Sequence, residues 1–488
     1  MLPRLLARSM VAALALGGCD GELLPAERFV PDCATGGCPC SIDAHCRDQQ
    51  ACTVDRCVGG GCAFVAGQDG VGCDDGDGCT VKDACASGAC KGSPRDCDDG
   101  NACTAGDRCE AGDCVAGTSR PLWHLTIPLQ GDDHPYGVAQ APDAGAYVAG
   151  FNVPKPQEFR ARVLRMAATG SVVWDKVYPS GVSAQIYGAT ADGNGGVLVA
   201  GIWWVAAATQ TLENWHPFVM RLDAKGSELW KQIDAKGGKI EPITVLDNGD
   251  VLALGYQNFL APSLPMAWRL ERDSGNEVER VLLGGSKGRL YGVARLPSAA
   301  IIGCGRLGDE GTASQSLLLH YDKGVLTHVA DGGIAEADDA IRACAPTPTG
   351  GVFGVGASVT ALLSAPLLAR WDGEGPLEIG TVQPPAKDND AWLEAIAALP
   401  EGGFVGGGAA RVNGIDVGWW LVGLDAAGKR TWSREGPSSL AGTADVIRDC
   451  ATMTDGTVVC VGEQSEATKG SHDTVVVRVD SAGRTSCE

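Results

Sequence analysis

The chain has 488 residues, 44% of them hydrophobic, and a formal net charge of −21 at pH 7. It is a folded protein too long for one compact core, and its acidity excludes a nucleic-acid partner, which needs clustered Lys and Arg. With 69 glycines and few Met or Phe, it suits many short strands joined by tight turns rather than long helices. In chain order, a leader comes first. Arg4 and Arg8 precede an apolar run from Met10 to Leu16 and then Gly17-Gly18-Cys19. Residues 1–18 therefore read as a secretory signal peptide, too short to span a bilayer as a helix.

The string Leu16-Gly17-Gly18-Cys19 resembles the bacterial lipobox. The resemblance implies cleavage before Cys19, acylation of Cys19 by palmitate-type chains, and a linker over 19–32 leading to the first folded region. A membrane anchor of this kind holds because each buried CH₂ contributes about 0.8 kcal/mol. The expected address is the cell envelope, lipid-anchored outside the cytoplasm, at the outer membrane or cell surface. Asp20 is an inner-membrane retention cue in some bacteria.

Fifteen of the 21 cysteines lie between Cys33 and Cys114. Twelve of these form three quartets: Cys46, Cys52, Cys57, Cys62; Cys73, Cys79, Cys85, Cys90; and Cys97, Cys103, Cys109, Cys114. The second and third share the spacing C-x5-C-x5-C-x4-C. Units this short, with almost no aliphatic side chains, cannot bury a core, so cross-links must replace it. In an oxidising compartment these become disulfides. Zinc is the competing reading, but no C-x2-C pair occurs, as zinc sites of this kind require. The repeats resemble the short Cys-rich modules of slime-mould and myxobacterial surface proteins, which implies a stalk over 33–116. Ca²⁺ is the one cofactor considered, at Asp74-Asp75 and Asp98-Asp99. These lack the D-x-D-x-D-G spacing, and turn formation accounts for them without an ion.

From about 121 to 488 the composition changes and one phrase recurs, GGVLVAG ending at Gly201. Its copies end at Gly150, Gly255, Gly305, Gly356, Gly408 and Gly462. A second phrase alternates with it, Arg, turn, Gly, Trp, clearest at Arg165…Gly170…Trp174 and Arg221…Gly226…Trp230. A third strand precedes each copy of the first phrase, as at Tyr136-Gly-Val-Ala and Tyr187-Gly-Ala-Thr. Four meandering strands per period, repeated seven times, predict an all-β protein: a seven-bladed β-propeller preceded by a small disulfide-rich repeat stalk. Trp123 fills a Trp slot with no hairpin before it, so the two chain ends should share one blade. The repeat resembles the bacterial SBBP/delta-60 propeller repeats, best at Gly131-Asp132-Asp133 and Tyr147-Val148-Ala149-Gly150. The GDD element survives weakly elsewhere, at Asp338-Asp339.

Strand register pairs the later cysteines. Across a three-residue turn at Thr454-Asp455-Gly456, Cys450 faces Cys460. Cys304 is one residue out of step with the slot of Cys460, which turns its side chain towards Cys344 in the next blade. Cys487 is left over beside an odd number in the stalk, so a tether from Cys487 to Cys33, Cys38 or Cys40 is expected.

No nucleophile elbow, H-E-x-x-H, P-loop or helix-entering G-x-G-x-x-G motif is found. None of the seven histidines stands at ligand spacing to another, so no metal site and no catalytic residue is assigned. The tryptophans at 123, 174, 230 and 432 recur at one repeat slot and read as packing between blades. The doublets Trp203-Trp204 and Trp419-Trp420 are different, because one member of each should face away from the sheet interior and could stack on a sugar or peptide. The expectation is a non-enzymatic cell-envelope lipoprotein, its stalk presenting a propeller to a protein or polysaccharide ligand of the envelope or matrix. The alternatives are a surface hydrolase acting at the propeller mouth on polysaccharide or phosphoester, and a purely structural envelope protein.

Overall fold

The computed structural model describes residues 39–486, apart from 98–102, 106, 116, 120, 129–130, 179–182, 206–213, 260–261, 285–286, 309–312, 361–362, 385–389, 413–415, 437–444 and 466–470. The chain divides into two compact units, Met1–Cys97 with Arg108–Val115, and Asp98–Asp107 with Ala116–Glu488. Thr104–Ala105 pairs with Thr118–Ser119, and Cys103 packs on Leu122 within the second unit.

The first unit holds three small hairpins, Thr53–Val58 with Gly61–Ala66, Thr80–Ala86 with Ala89–Pro94, and Arg108–Glu110 with Asp113–Val115. In each, the third and fourth cysteines of a quartet are cross-strand neighbours, yet they bond elsewhere. The fourth returns to the first of its own quartet, in Cys46–Cys62, Cys73–Cys90 and Cys97–Cys114. The third reaches back to the second of the preceding quartet, in Cys52–Cys85 and Cys79–Cys109. Cys40 takes Cys57, the third cysteine of the first quartet. That pairing removes Cys40 from the expected partners of Cys487. Cys19, Cys33, Cys38 and Cys487 themselves lie outside the described residues. Cys103 is also disulfide-bonded. Cross-linking on this scale belongs to a protein that matures outside the cytoplasm.

The second unit contains seven four-stranded antiparallel sheets, the blades of a propeller. The first is built from Asp132–Gln140, Ala146–Lys155, Glu158–Met166 and Val172–Tyr178. The last joins Val446–Thr452, Val458–Ser465 and His472–Val479 to Trp123–Ile127, so the two ends of the repeat share a blade and fasten the ring. Each sheet has two apolar faces, and each face is covered by the neighbouring blade, as in the cluster of Tyr147, Val163, Ile186 and Met220 between the first two blades.

The tryptophan slot shows how adjacent blades dock. Trp123, Trp174, Trp230 and Trp432 each donate the indole N–H to a turn carbonyl of the next blade, at Ala168, Ala224, Arg272 and Ser481. The same turns carry Gly170, Gly226, Gly275 and Gly483 at positive φ, and a Cβ on any of them would meet the overlying ring. Two disulfides reinforce the ring. Cys450 and Cys460 are register partners with Cα atoms 4.1 Å apart. Cys304–Cys344 joins the fourth blade to the fifth, at a Cα separation of 6.4 Å.

Candidate functional site

The innermost strand of every blade breaks register once, at the same step. The extra residue of each bulge is Tyr136, Tyr187, Glu241 (with Pro242), Tyr291, Arg342, Glu394 and Arg448. A β-bulge re-aims the side chain at the irregularity, and all seven line one central cavity of about 640 Å³, together with Lys239. The glycine ending each copy of the repeated phrase is what admits the bulge. Gly201 faces Ile186 in register, and a Cβ there would lie 1.9 Å from the Gln185 carbonyl oxygen. Gly305 meets the Arg289 carbonyl in the same way, at 1.9 Å.

The ring pairs cations with aromatic faces and carboxylates. Lys239 Nζ lies 3.4 Å from the centroid of Tyr187 and 3.0 Å from Glu241. Arg342 covers Tyr291 at 4.7 Å, and Arg448 covers Tyr136 at 4.9 Å. Arg448 also lies 3.8 Å from Glu394. Burial pushes the Tyr136, Tyr187 and Tyr291 phenols up and the Lys239 ammonium down. At neutral pH the phenols are therefore hydrogen-bond donors rather than bases.

Beside Arg448 the channel wall holds Asp449, which accepts the backbone N–H groups of Val138 and Cys450 at 2.8 and 2.9 Å. Burial nevertheless pushes its carboxyl up to about 7 from an ordinary 3.8. Below the ordinary value the group is protonated folded or unfolded. As pH rises towards the folded value the unfolded chain ionises first, so stability falls, and above it the deficit is constant. Asp449→Asn is therefore expected to raise the melting temperature at pH 8 and to leave it nearly unchanged at pH 4. Equal shifts at both pH values in thermal melts would contradict that assignment.

Where the first and last blades meet, a polar chain continues outward from Arg448. Its guanidinium donates to both carboxylate oxygens of Glu463, at 3.2 and 3.3 Å. Glu463 lies 3.1 Å from Nδ1 of His134, whose Nε2 lies 3.2 Å from Asp132. Asp132 also meets His472 Nδ1 at 2.9 Å and accepts its backbone N–H at 2.8 Å. Burial opposes charge on His134, yet Asp132 and Glu463 outweigh it and push the imidazole up to about 9. Neighbouring Asp133 is buried, which pushes its carboxyl up to about 7 although Arg162 stands 3.4 Å away. Asp132 and His472 are 340 positions apart, so linear spacing does not reveal the group.

The tryptophan doublets are placed differently from expectation. Trp203, Trp419 and Trp420 are buried, Trp419 against the seventh blade and Trp420 against the fifth. Alternation does send the two members to opposite faces, but both faces of a propeller blade are interior. Only Trp204 is half-buried. Asp74 and Asp75 meet Asp83 on the surface, and Asp75 is occupied by Thr80 and by the backbone N–H groups of Asp77 and Gly92. They serve as turn-forming groups. Gly284-Gly285-Ser286-Lys287-Gly288 spells G-x-S-x-G; Gly285 and Ser286 lie outside the described residues, and the string is followed by the strand Gly288–Arg295 where a nucleophile elbow is followed by a helix.

No known family model and no curated protein matches the chain. Solved structures match the propeller only distantly. A protein of unknown function from Dyadobacter fermentans is 10% identical, covering 74% of this chain and 98% of its own, with a TM-score of 0.48. Hydrazine synthase of Kuenenia stuttgartiensis is 11% identical over 74% and 98% of the two chains, with a TM-score of 0.48. Virginiamycin B lyase from Staphylococcus aureus is 14% identical over 73% and 98%, with a TM-score of 0.44. The chain is a seven-bladed propeller protein with a disulfide-rich N-terminal unit, and these comparisons assign it to no family.

Proposed function

We propose that the chain is a non-enzymatic recognition protein of the cell envelope, lipid-anchored through Cys19, whose propeller binds an acidic polysaccharide at the central channel. One observation carries this reading: the seven bulges that aim Tyr136, Tyr187, Tyr291, Arg342, Arg448, Glu241 and Glu394 at one cavity. Phenol hydroxyls donate hydrogen bonds to sugar oxygens. Guanidinium groups bind carboxylates bidentately, and carboxylates accept from sugar hydroxyls. A cavity of this volume falls in the ordinary range for ligand sites.

The test is a glycan array with the disulfide-intact mature chain, acidic and neutral polysaccharides side by side. Acidic polymers should be retained selectively, and Arg342→Ala and Tyr187→Ala should each weaken binding at least about tenfold. Wild-type affinity in both variants, or no acidic ligand at all, would sink the proposal and leave the structural alternative. A second reading, a surface hydrolase at the propeller mouth, is favoured by Glu241 and Glu394 in the same ring. It requires new reducing ends or released phosphate from a bound polymer, lost in Glu394→Gln. The anchor is tested separately, since Cys19→Ser should move the protein from the membrane to the soluble fraction.

A further inference from the structure

We propose that His134, His472 and Asp132 form a binding site for one divalent transition-metal ion of the zinc class, built where the ring closes. None of its three ligands lines the channel, although Glu463 links the site to Arg448 of the channel wall. Its three side chains can each offer one ligand atom, and those atoms lie within 4.8 Å of one another. Zinc bonds to imidazole nitrogen and carboxylate oxygen are about 2.0–2.2 Å long, so small side-chain rotations bring all three onto one ion. Two imidazoles and one carboxylate are a donor set that suits zinc and its neighbours and not the all-oxygen preference of Ca²⁺ or Mg²⁺.

The arrangement behind these ligands is what separates a site from a chance cluster. Glu463, only 3% exposed, faces Nδ1 of His134 at 3.1 Å and is itself clamped by Arg448. A carboxylate that accepts from one ring nitrogen fixes the tautomer and points the lone pair of the other outward. That other nitrogen, Nε2, faces Asp132. On the opposite side, the backbone N–H of His472 orients the Asp132 carboxylate. The three ligands are half-buried, so the ion would be held from the protein side and keep a coordination position towards solvent.

The test uses the full disulfide-intact chain stripped with a chelator and titrated with Zn²⁺ by calorimetry. One equivalent should bind, and Co²⁺ in its place should give visible ligand-field bands. His134→Ala and His472→Ala should each weaken the affinity at least about a hundredfold. Glu463→Gln, which alters positioning only, should weaken it about 10–100-fold. Melting temperatures without metal control for folding, and Asp132→Asn, nearly isosteric, stands in if a histidine variant misfolds. Zn²⁺ should raise the melting temperature of the wild type and not that of the ligand variants. Equal Zn²⁺ binding by the wild type and the His134→Ala/His472→Ala double variant, or no stoichiometric binding by the wild type, would overturn the site.

Discussion

Arg478→Ala is expected to destabilise the propeller by about 3–5 kcal/mol, the range for removing one partner of a buried ion pair. Arg478 is fully buried on the last strand of the repeat. Its Nε donates to Thr457, and Nη2 holds Asp455 in the same blade. Its Nη1 crosses to the first blade and donates to the carbonyls of Ala144 and Ala168 at 2.8 and 3.2 Å. Truncation leaves Asp455 without its cation and the Ala144 carbonyl without the guanidinium, while Ala168 keeps the Trp123 indole, at the seam where the ring is closed by strands from its two ends. Lysine should not rescue the loss, because a single ammonium cannot reproduce the fork. Arg221 makes the equivalent link from the second blade to the third through Asp192, Arg272 and Asp273. Asp273 is largely exposed, but Asp192 is as deeply enclosed as Asp455, so Arg221→Ala should cost a comparable amount. Denaturant unfolding of the disulfide-intact chain checks both, and a double-mutant cycle with Asp455→Asn isolates the pair. A cost near zero for Arg478→Ala would mean that the seam is held by strand pairing alone.

Gly201→Ala is expected to cost about 3 kcal/mol or more, the upper part of the range for overpacking a close contact. The added Cβ would sit 1.9 Å from the Gln185 carbonyl oxygen, backbone that cannot rotate away. Relief requires the bulge at Tyr187 to flatten, so channel binding should be lost along with stability. Gly193→Ala is the control. That turn glycine has φ +78° but nothing near its Cβ position, so only backbone strain of about 1 kcal/mol is expected. Chemical denaturation of the two variants should separate close approach from conformational strain. Equal losses would refute the account of the repeated glycine.

Much of the fold is legible in the residues because a propeller repeats its constraints. The glycines ending at Gly150, Gly201 and Gly255, the Trp slot, and Trp123 standing alone before the first blade identify the period, the blade count and the shared terminal blade. The site was less legible, for a physical reason. A bulge depends on the backbone of the neighbouring strand, so Tyr136 or Arg342 looks like any alternating strand residue until register is known. The glycines that end the repeated phrase are the ones that let the channel residues turn inward. The tryptophan doublets pointed the other way, because a strand with two buried faces hides what alternation would expose on a one-sided sheet. His134 and His472 meet only because the ring closes, and nothing in their own neighbourhoods signals it.

The disulfide pattern of the first unit has a consequence for how such a protein can change length. Each quartet bonds its first cysteine to its fourth and lends its second to the third of the next. The rule is the same at every step, so a whole quartet could be duplicated or deleted without leaving any interior thiol unmatched. Only the ends need special partners: Cys40 for the third cysteine of the first quartet, and another for Cys103 at the last. In connectivity the unit is a polymer with two terminators, whose number of repeats could change one quartet at a time.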